Sequence, residues 1–237
     1  WELVPEVIKL AVAILPSEEE PDLLHFNAYC GLSRLLLFKG RRNADLLLLT
    51  NRSSVERYKG VNKDGWEMST EETLASMLRF IASPEGEHHR RLTARDLVQL
   101  PKSTGIVHCV PCLAFNHSLR IYGSLSNILE SALLRPLAEV KSETTKYTFL
   151  FIRLPSALRR RVRTEDLLRE YHRWKEQAFP NEIGGDYSLT FIPNHSDRID
   201  LMLLLGGCDL GNCLARTVEG YSRIKSEIMA KGLTADF

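Results

Sequence analysis

Two cysteines and two histidines stand close together near the middle of the chain, in His108-Cys109-Val110-Pro111-Cys112 and at His117. A Cys-x-x-Cys turn presents two thiolates at a spacing that suits Zn²⁺, and a nearby imidazole is a suitable third ligand. The neighbouring residues are those of a buried strand, however, where cysteine behaves as a small hydrophobe. We therefore predict no cofactor, with zinc on Cys109, Cys112 and His117 as the minor alternative.

A basic segment extends from Arg153 to Lys175, where eight positive and three negative side chains leave a net charge of +5. Arginine binds phosphate through paired hydrogen bonds, so such a segment is typical of contact with nucleic acid, either RNA or DNA, or with an acidic protein surface. The alternative is a solvated loop and helix face whose charges pair with the acidic segment 18–22 or with Glu182 and Asp186. The residues predicted to bind phosphate are Arg153, Arg159, Arg160, Arg161, Arg163, Arg173 and Lys175.

The other titratable clusters do not predict catalysis. Glu85-Gly86-Glu87-His88-His89 places carboxylates beside imidazoles, but the HExxH spacing that would bring two histidines onto one helix face is absent, and we predict a polar loop. His25 lies among apolar residues and is predicted to be a core or edge histidine. The sequence has no glycine-rich phosphate loop, GxSxG elbow or kinase signature, so no catalytic residue is predicted.

The composition of the chain limits the fold and the classes of function in which these residues can act. The chain has 237 residues, 44% of them hydrophobic and 26% charged, which is enough to bury a core without disulfide or metal support. The formal net charge of +1 excludes a global preference for nucleic acid or anionic membrane, so any such preference must come from a local patch. The apolar runs are far shorter than the roughly 20 residues of a membrane span. Five cysteines, an odd number, favour a reducing intracellular location in cytoplasm or nucleus.

Helical periodicity dominates the first part of the chain. A capping box formed by Ser69 and Glu72 opens the clearest helix, which is predicted to end at Ser83-Pro84. The other predicted elements are helices over 4–15, 22–39, 93–100 and 124–134, and strands over 44–50 and 106–115.

The second part is predicted to run strand, helix, strand, strand, helix, with strands over 146–154, 187–192 and 199–205 and helices over 164–178 and 214–231. The last two strands are predicted to form a hairpin. This order resembles the ferredoxin-like split β-α-β module, in which an antiparallel sheet carries both helices on one face. The expected fold class is α+β, with a mainly helical region over 1–142 packed on a ferredoxin-like region over 143–237, or with the two fused into one domain.

The strand over 199–205 is expected to be central. Residues alternate across a strand, so Leu201, Leu203 and Leu205 should face one side while Met202 and Leu204 face the other. Apolar residues on both sides require a covering layer on each face of the sheet. The two parts of the chain are therefore expected to share a core.

These patterns favour a non-enzymatic binding protein whose arginine-rich loop engages nucleic acid or an acidic partner. A second hypothesis is a protein-interaction or assembly module, including a viral structural or accessory protein, with the oligomeric state left open. A third is an enzyme whose site carries none of the known motifs. No sequence motif of a known family is reproduced.

Overall fold

The computed structural model describes residues 8–37, 44–58, 60–62, 64–82, 86–193, 197–210 and 212–231, and its framework is a mixed sheet of seven strands. The strands are β1 (Leu10–Leu15), β2 (Leu46–Asn51), β3 (Glu87–Arg90), β4 (His108–Ser118), β5 (Tyr147–Pro155), β6 (Gly184–Ile192) and β7 (Arg198–Gly206). The helices are α1 (Asp22–Leu37), α2 (Arg52–Arg57), α3 (Thr70–Ala82), α4 (Ala94–Thr104), α5 (Leu119–Tyr122), α6 (Leu125–Leu133), α7 (Thr164–Ala178) and α8 (Asn212–Ala230), with 3-10 turns at Ser142–Thr144 and Ser156–Arg160.

The strand order is β1-β2-β4-β7-β5-β6-β3. Strands β1, β2 and β4 run parallel to one another, and so do β5 and β6. Strand β7 lies between these two parallel groups and is antiparallel to both β4 and β5, while β3 forms an antiparallel edge on β6. Parallel neighbours require crossover connections, which the helices between the strands supply.

Helices cover both faces of the sheet. Side chains of α1, α6 and α7 form one hydrophobic core with the strands, and side chains of α2, α3 and α4 form the other. The alternation predicted for β7 is confirmed, because Leu201, Leu203 and Leu205 lie in the first core while Met202 and Leu204 lie in the second. Strand β7 is fully buried at these five positions and is central in the sheet.

The predicted ferredoxin-like antiparallel sheet is wrong. In a split β-α-β module the two strands joined by the first helix leave room for a strand between them, whereas β5 and β6 are adjacent and parallel. The predicted hairpin between β6 and β7 is also absent, because β7 pairs with β5 on one side and with β4 on the other. The elements of the second part exist as predicted, but they are paired differently.

Most first-part elements match their predictions, with two corrections. The helix predicted over 4–15 is wrong where the structure describes it, because Leu10–Leu15 is a strand paired with β2; residues 1–7 lie outside the described ranges. The predicted polar loop around His88 contains edge strand β3, while Glu85 lies outside the described ranges. The capping box at Ser69 and Glu72 is confirmed by reciprocal hydrogen bonds of 2.9 and 3.1 Å.

The sheet is continuous across the predicted boundary near residue 142. Strand β4 comes from the first part and β7 from the second, and these two strands pair over most of their length. Edge strand β3 of the first part likewise lies against β6 of the second. Whether the two parts are separate domains stays a prediction. In the described part of the chain, no helix is long and apolar enough to span a membrane.

Candidate functional site

Arg153 and Arg159 of the basic segment have separate partners in the structure. The Arg153 guanidinium lies 4.1 Å from the centre of the Phe80 ring and donates to the Arg79 carbonyl oxygen at 3.0 Å. Arg159 lies about 55% exposed and pairs with Glu87 of β3 at 2.5 Å. Whether the segment binds phosphate stays a prediction.

Lys175 of α7 is part of a buried polar cluster that includes Thr148 of β5. Its Nζ lies 2.9 Å from a carboxylate oxygen of Glu182, and the same carboxylate accepts a hydrogen bond of 2.5 Å from Thr148. The Glu182 side chain is only 7% exposed, so Lys175 neutralises a buried charge. This agrees with the alternative in which the charges of the segment pair with carboxylates such as Glu182.

The remaining predicted arginines are on the surface. They form no ion pair with another described residue. Three of them lie in or just after the 3-10 turn that follows β5, and the fourth lies on the outer face of α7. They are the exposed residues Arg160, Arg161, Arg163 and Arg173.

The zinc candidates point in different directions. Cys109 belongs to one hydrophobic core and Cys112 to the other, because residues three apart on a strand face opposite sides of the sheet. Burial raises the pKa of the Cys109 thiol to about 12 and that of Cys112 further still. The His117 ring lies on Tyr122, and its Nδ1 is 2.9 Å from the Phe115 carbonyl oxygen. Within the described ranges, no three metal-ligating side chains come together.

The carboxyl ends of β1 and β2 form a polar edge of the sheet. Asn51 ends β2, and its Nδ2 donates to the Pro16 carbonyl oxygen just after β1 at 2.9 Å. Its Oδ1 accepts a hydrogen bond from the Ser54 backbone amide and caps α2. One asparagine therefore fixes both loops at this edge, which is where ligands of open α/β sheets bind.

The loop of residues 16–21, hereafter the β1–α1 loop, is held in a turn by one of its three glutamates, Glu20. The Glu20 carboxylate accepts a hydrogen bond from the Ser17 amide at 2.5 Å and pairs with Arg52 of α2 at 2.6 Å. The Glu20 amide donates to the Ser17 carbonyl oxygen at 3.0 Å. The loop is thus held in a defined turn beside Asn51.

A second polar region is a cleft of about 540 Å³ between α3 and the ends of β4, β5 and β7. Asn116 has a φ of +59°, and outside glycine it is the one described residue with positive φ. This backbone is held by a hydrogen bond of 2.8 Å from the Asn116 amide to the Asp200 carboxylate. Burial raises the pKa of Asp200, against the opposing effects of that amide and of Arg153. The cleft lining includes Asn62, Arg79, Phe80, Asn116, Arg153 and Asp200.

Sequence reasoning missed both polar regions. Asn51 has a local role as the cap of α2, but its bond to the Pro16 carbonyl oxygen spans 35 positions, and the bond between Asp200 and Asn116 spans 84. The available signal was the position of Asn51 after an apolar strand. That position indicates a ligand site only once β1 is known to be a strand parallel to β2.

Comparison with known proteins identifies the fold. The structure is similar to CetZ from Methanosaeta thermophila (TM-score 0.61, 15% identity, 94% of this chain and 58% of that one). It is also similar to GDP-bound monomeric CetZ1 from Haloferax volcanii (TM-score 0.59, 12% identity, 91% and 60%). A third similar structure is a GTPγS-form protofilament of TubZ from Bacillus thuringiensis serovar israelensis (TM-score 0.58, 16% identity, 94% and 59%).

The chain spans less than two thirds of the length of these proteins. No protein-family model matches the sequence, and no curated protein matches it. The prediction of an RNA- or DNA-binding protein is wrong, because the fold is that of CetZ, TubZ and FtsZ. This chain has the tubulin/FtsZ-like fold.

Proposed function

We propose that the chain is part of a guanine-nucleotide-dependent polymer subunit, whose copies assemble head to tail into filaments. The observation that carries the proposal is the likeness to the TubZ protofilament over 94% of this chain. A head-to-tail interface whose rotation does not close generates a filament. The proposal retains the assembly-module hypothesis and replaces nucleic acid with copies of the same protein.

The nucleotide is assigned to the edge formed by the carboxyl ends of β1 and β2. Ligands of open α/β sheets bind outside the carboxyl ends of parallel strands. Asn51 and the β1–α1 loop are the polar groups there. Asn51 donates to the Pro16 carbonyl oxygen of the loop, and the Ser17 amide donates to the Glu20 carboxylate within it. GDP-bound CetZ1 and GTPγS-form TubZ support the choice of a guanine nucleotide.

The first test is sedimentation of the purified chain with GTP, with GDP and without nucleotide, together with a direct measurement of nucleotide affinity. We expect GTP to increase the pelleted fraction and both nucleotides to bind. Asn51→Ala should weaken binding about tenfold, equivalent to about 1.4 kcal/mol, because the two loops lose their shared anchor. Phosphate release in the same samples decides whether the chain is also an enzyme.

A matched control separates this role from the general loss of an asparagine. Asn127 on α6 also donates through Nδ2 to a backbone carbonyl, that of Tyr122 at 2.6 Å, but it is not part of the β1 and β2 edge. Asn127→Ala should leave nucleotide affinity unchanged within a factor of about two. Absence of both nucleotide binding and assembly in the wild-type chain would overturn the proposed function.

An intracellular location is part of the same proposal. Cys30, Cys109, Cys112 and Cys208 are all free thiols. Unpaired cysteines are typical of reducing compartments.

A further inference from the structure

Arg216 of α8 reaches across to the β1–α1 loop. Its Nε donates to the Glu18 carbonyl oxygen at 3.2 Å, and its Nη2 lies 3.5 Å from the Glu20 carbonyl oxygen. The same Nη2 is 2.6 Å from a carboxylate oxygen of Asp22, the first residue of α1. One side chain therefore contacts the loop at two carbonyl groups and the helix that follows it at a third group.

Helix α8 is positioned for this contact by close packing on α1. Thr217 is fully buried, and its Oγ1 lies 3.5 Å from Nδ1 of the buried His25. Gly220 lies so close to the same histidine that an added Cβ would come within 2.5 Å of the His25 Cβ. At the next residue, the Tyr221 ring stacks on Tyr29 with a centroid distance of 4.1 Å. The position of α8 along α1 is thus sterically determined.

The loop is braced from the opposite side by α2. Arg52 pairs with the Glu20 carboxylate, while Arg216 contacts the Glu20 carbonyl oxygen. The two arginines come from helices more than 150 residues apart in the sequence. Movement of α8 away from α1 would release one of these two braces and leave the other in place.

We infer that Arg216 is a positioning residue, which holds the β1–α1 loop from α8 and thereby sets the nucleotide affinity of the β1 and β2 edge. The second half of this inference rests on the proposed function. The planar guanidinium suits the role, because it donates in several fixed directions at once, whereas a lysine ammonium acts as a compact point charge. Arg216→Lys should therefore keep the ion pair with Asp22 but hold the loop less well.

The test combines amide hydrogen exchange with nucleotide affinity in the full chain. The probes are the Ser17 and Glu20 amides, whose hydrogen bonds define the turn of the loop. Arg216→Gln should accelerate their exchange about tenfold or more without nucleotide and weaken GDP affinity about tenfold, a factor that corresponds to about 1.4 kcal/mol in each equilibrium. Arg216→Lys should give an intermediate result.

Arg223 provides the matched control. It also pairs with Asp22, at 3.5 Å, but its described partners are Asp22 and Glu219 rather than loop carbonyl groups. Arg223→Gln should leave loop exchange and GDP affinity within about twofold of wild type. Equal effects of the Arg216 and Arg223 variants would show that only the ion pair with Asp22 matters and would overturn the inference.

A second variant keeps Arg216 and displaces its helix. Gly220→Ala should separate α8 from α1 because of the contact with His25, and the same two amides should exchange faster. Unchanged exchange in both Gly220→Ala and Arg216→Gln would overturn the inference, and so would faster exchange with unchanged GDP affinity. If the wild-type chain binds no nucleotide, the proposed function fails, and the exchange data alone decide whether Arg216 holds the loop.

Discussion

At the scale of single residues, buried and half-buried polar side chains connect distant segments of this protein. Asn51 joins the ends of β1 and β2, and Asp200 holds the left-handed backbone of Asn116. His25 of α1 contacts Thr217 of α8. Each of these groups is costly to bury and is compensated by a partner far along the chain. His25 and Asp200 also titrate, so their protonation affects the stability of the fold.

His25 should make stability depend on pH. Burial lowers its pKa, Arg216 acts in the same direction, and the charges of Asp22 and Glu20 act in opposition. The unfolded chain then binds a proton that the folded chain excludes, so the free energy of unfolding should fall as pH drops below about 6.5 toward the lowered pKa. Urea denaturation between pH 7 and 5 measures the slope.

His25→Asn should reduce that slope without removing it. Burial also lowers the pKa of His108, whose Nε2 is 3.2 Å from the Cys208 carbonyl oxygen, so His108 contributes a share of its own. A variant with both substitutions should show a smaller slope than either single variant. An unchanged slope in His25→Asn would contradict a neutral buried His25.

At the scale of elements, two glycines have opposite surroundings. A Cβ at Gly206, at the end of β7, would lie 2.1 Å from a ring carbon of Tyr147, whose hydroxyl donates to the Ile106 carbonyl oxygen at 2.9 Å. Gly31 is on the exposed side of α1 and has no atom within 4 Å of an added Cβ. The same substitution therefore tests packing at one position and backbone entropy at the other.

Gly206→Ala is expected to lower the free energy of unfolding by about 1 to 3 kcal/mol, since the Tyr147 ring cannot move without losing its buried position. Gly31→Ala is expected to raise it by about 0.5 to 1 kcal/mol, because alanine loses less backbone entropy in a helix. Chemical denaturation of both variants measures the difference. Equal effects at the two positions would contradict the packing described around Tyr147.

At the scale of the whole molecule, one sheet incorporates strands from both parts of the chain. The β4–β7 pair joins the part before residue 142 to the part after it, and one hydrophobic core contains residues from α1, α6 and α7. Neither part can lose its strands without exposing the apolar face of its neighbour. The parts should therefore unfold together.

We expect a single thermal transition. In a variant with both Trp1 and Trp66 replaced by phenylalanine, buried Trp174 is the one remaining tryptophan. Its fluorescence reports on the contact between α7 and α6, where its Nε1 donates to Glu130, and far-ultraviolet circular dichroism reports on the whole chain. The two midpoints should coincide, which is a test of cooperative unfolding. Two separated transitions would instead support independent domains divided near residue 142.

The sequence by itself determined local features, for which nearby residues hold the information. The capping box at Ser69, the boundaries of α7 and the alternating faces of β7 all follow from spacing within one element. Periodicity also indicated that β7 is buried on both faces. It misassigned Leu10–Leu15, since a short run that is apolar at nearly every position fits a helix and a strand equally.

Only the tertiary structure decided which strands pair and which polar groups meet. Periodicity shows the two faces of a strand but not its neighbours, so the placement of β7 between β4 and β5 had no local signal. The arginine-rich segment is one run of positive charge in the sequence, but in the fold Arg153, Arg159 and Lys175 contact three separate partners. The contacts of Asn51 and Arg216 likewise depend on long-range packing, which sets distances that sequence separation does not encode.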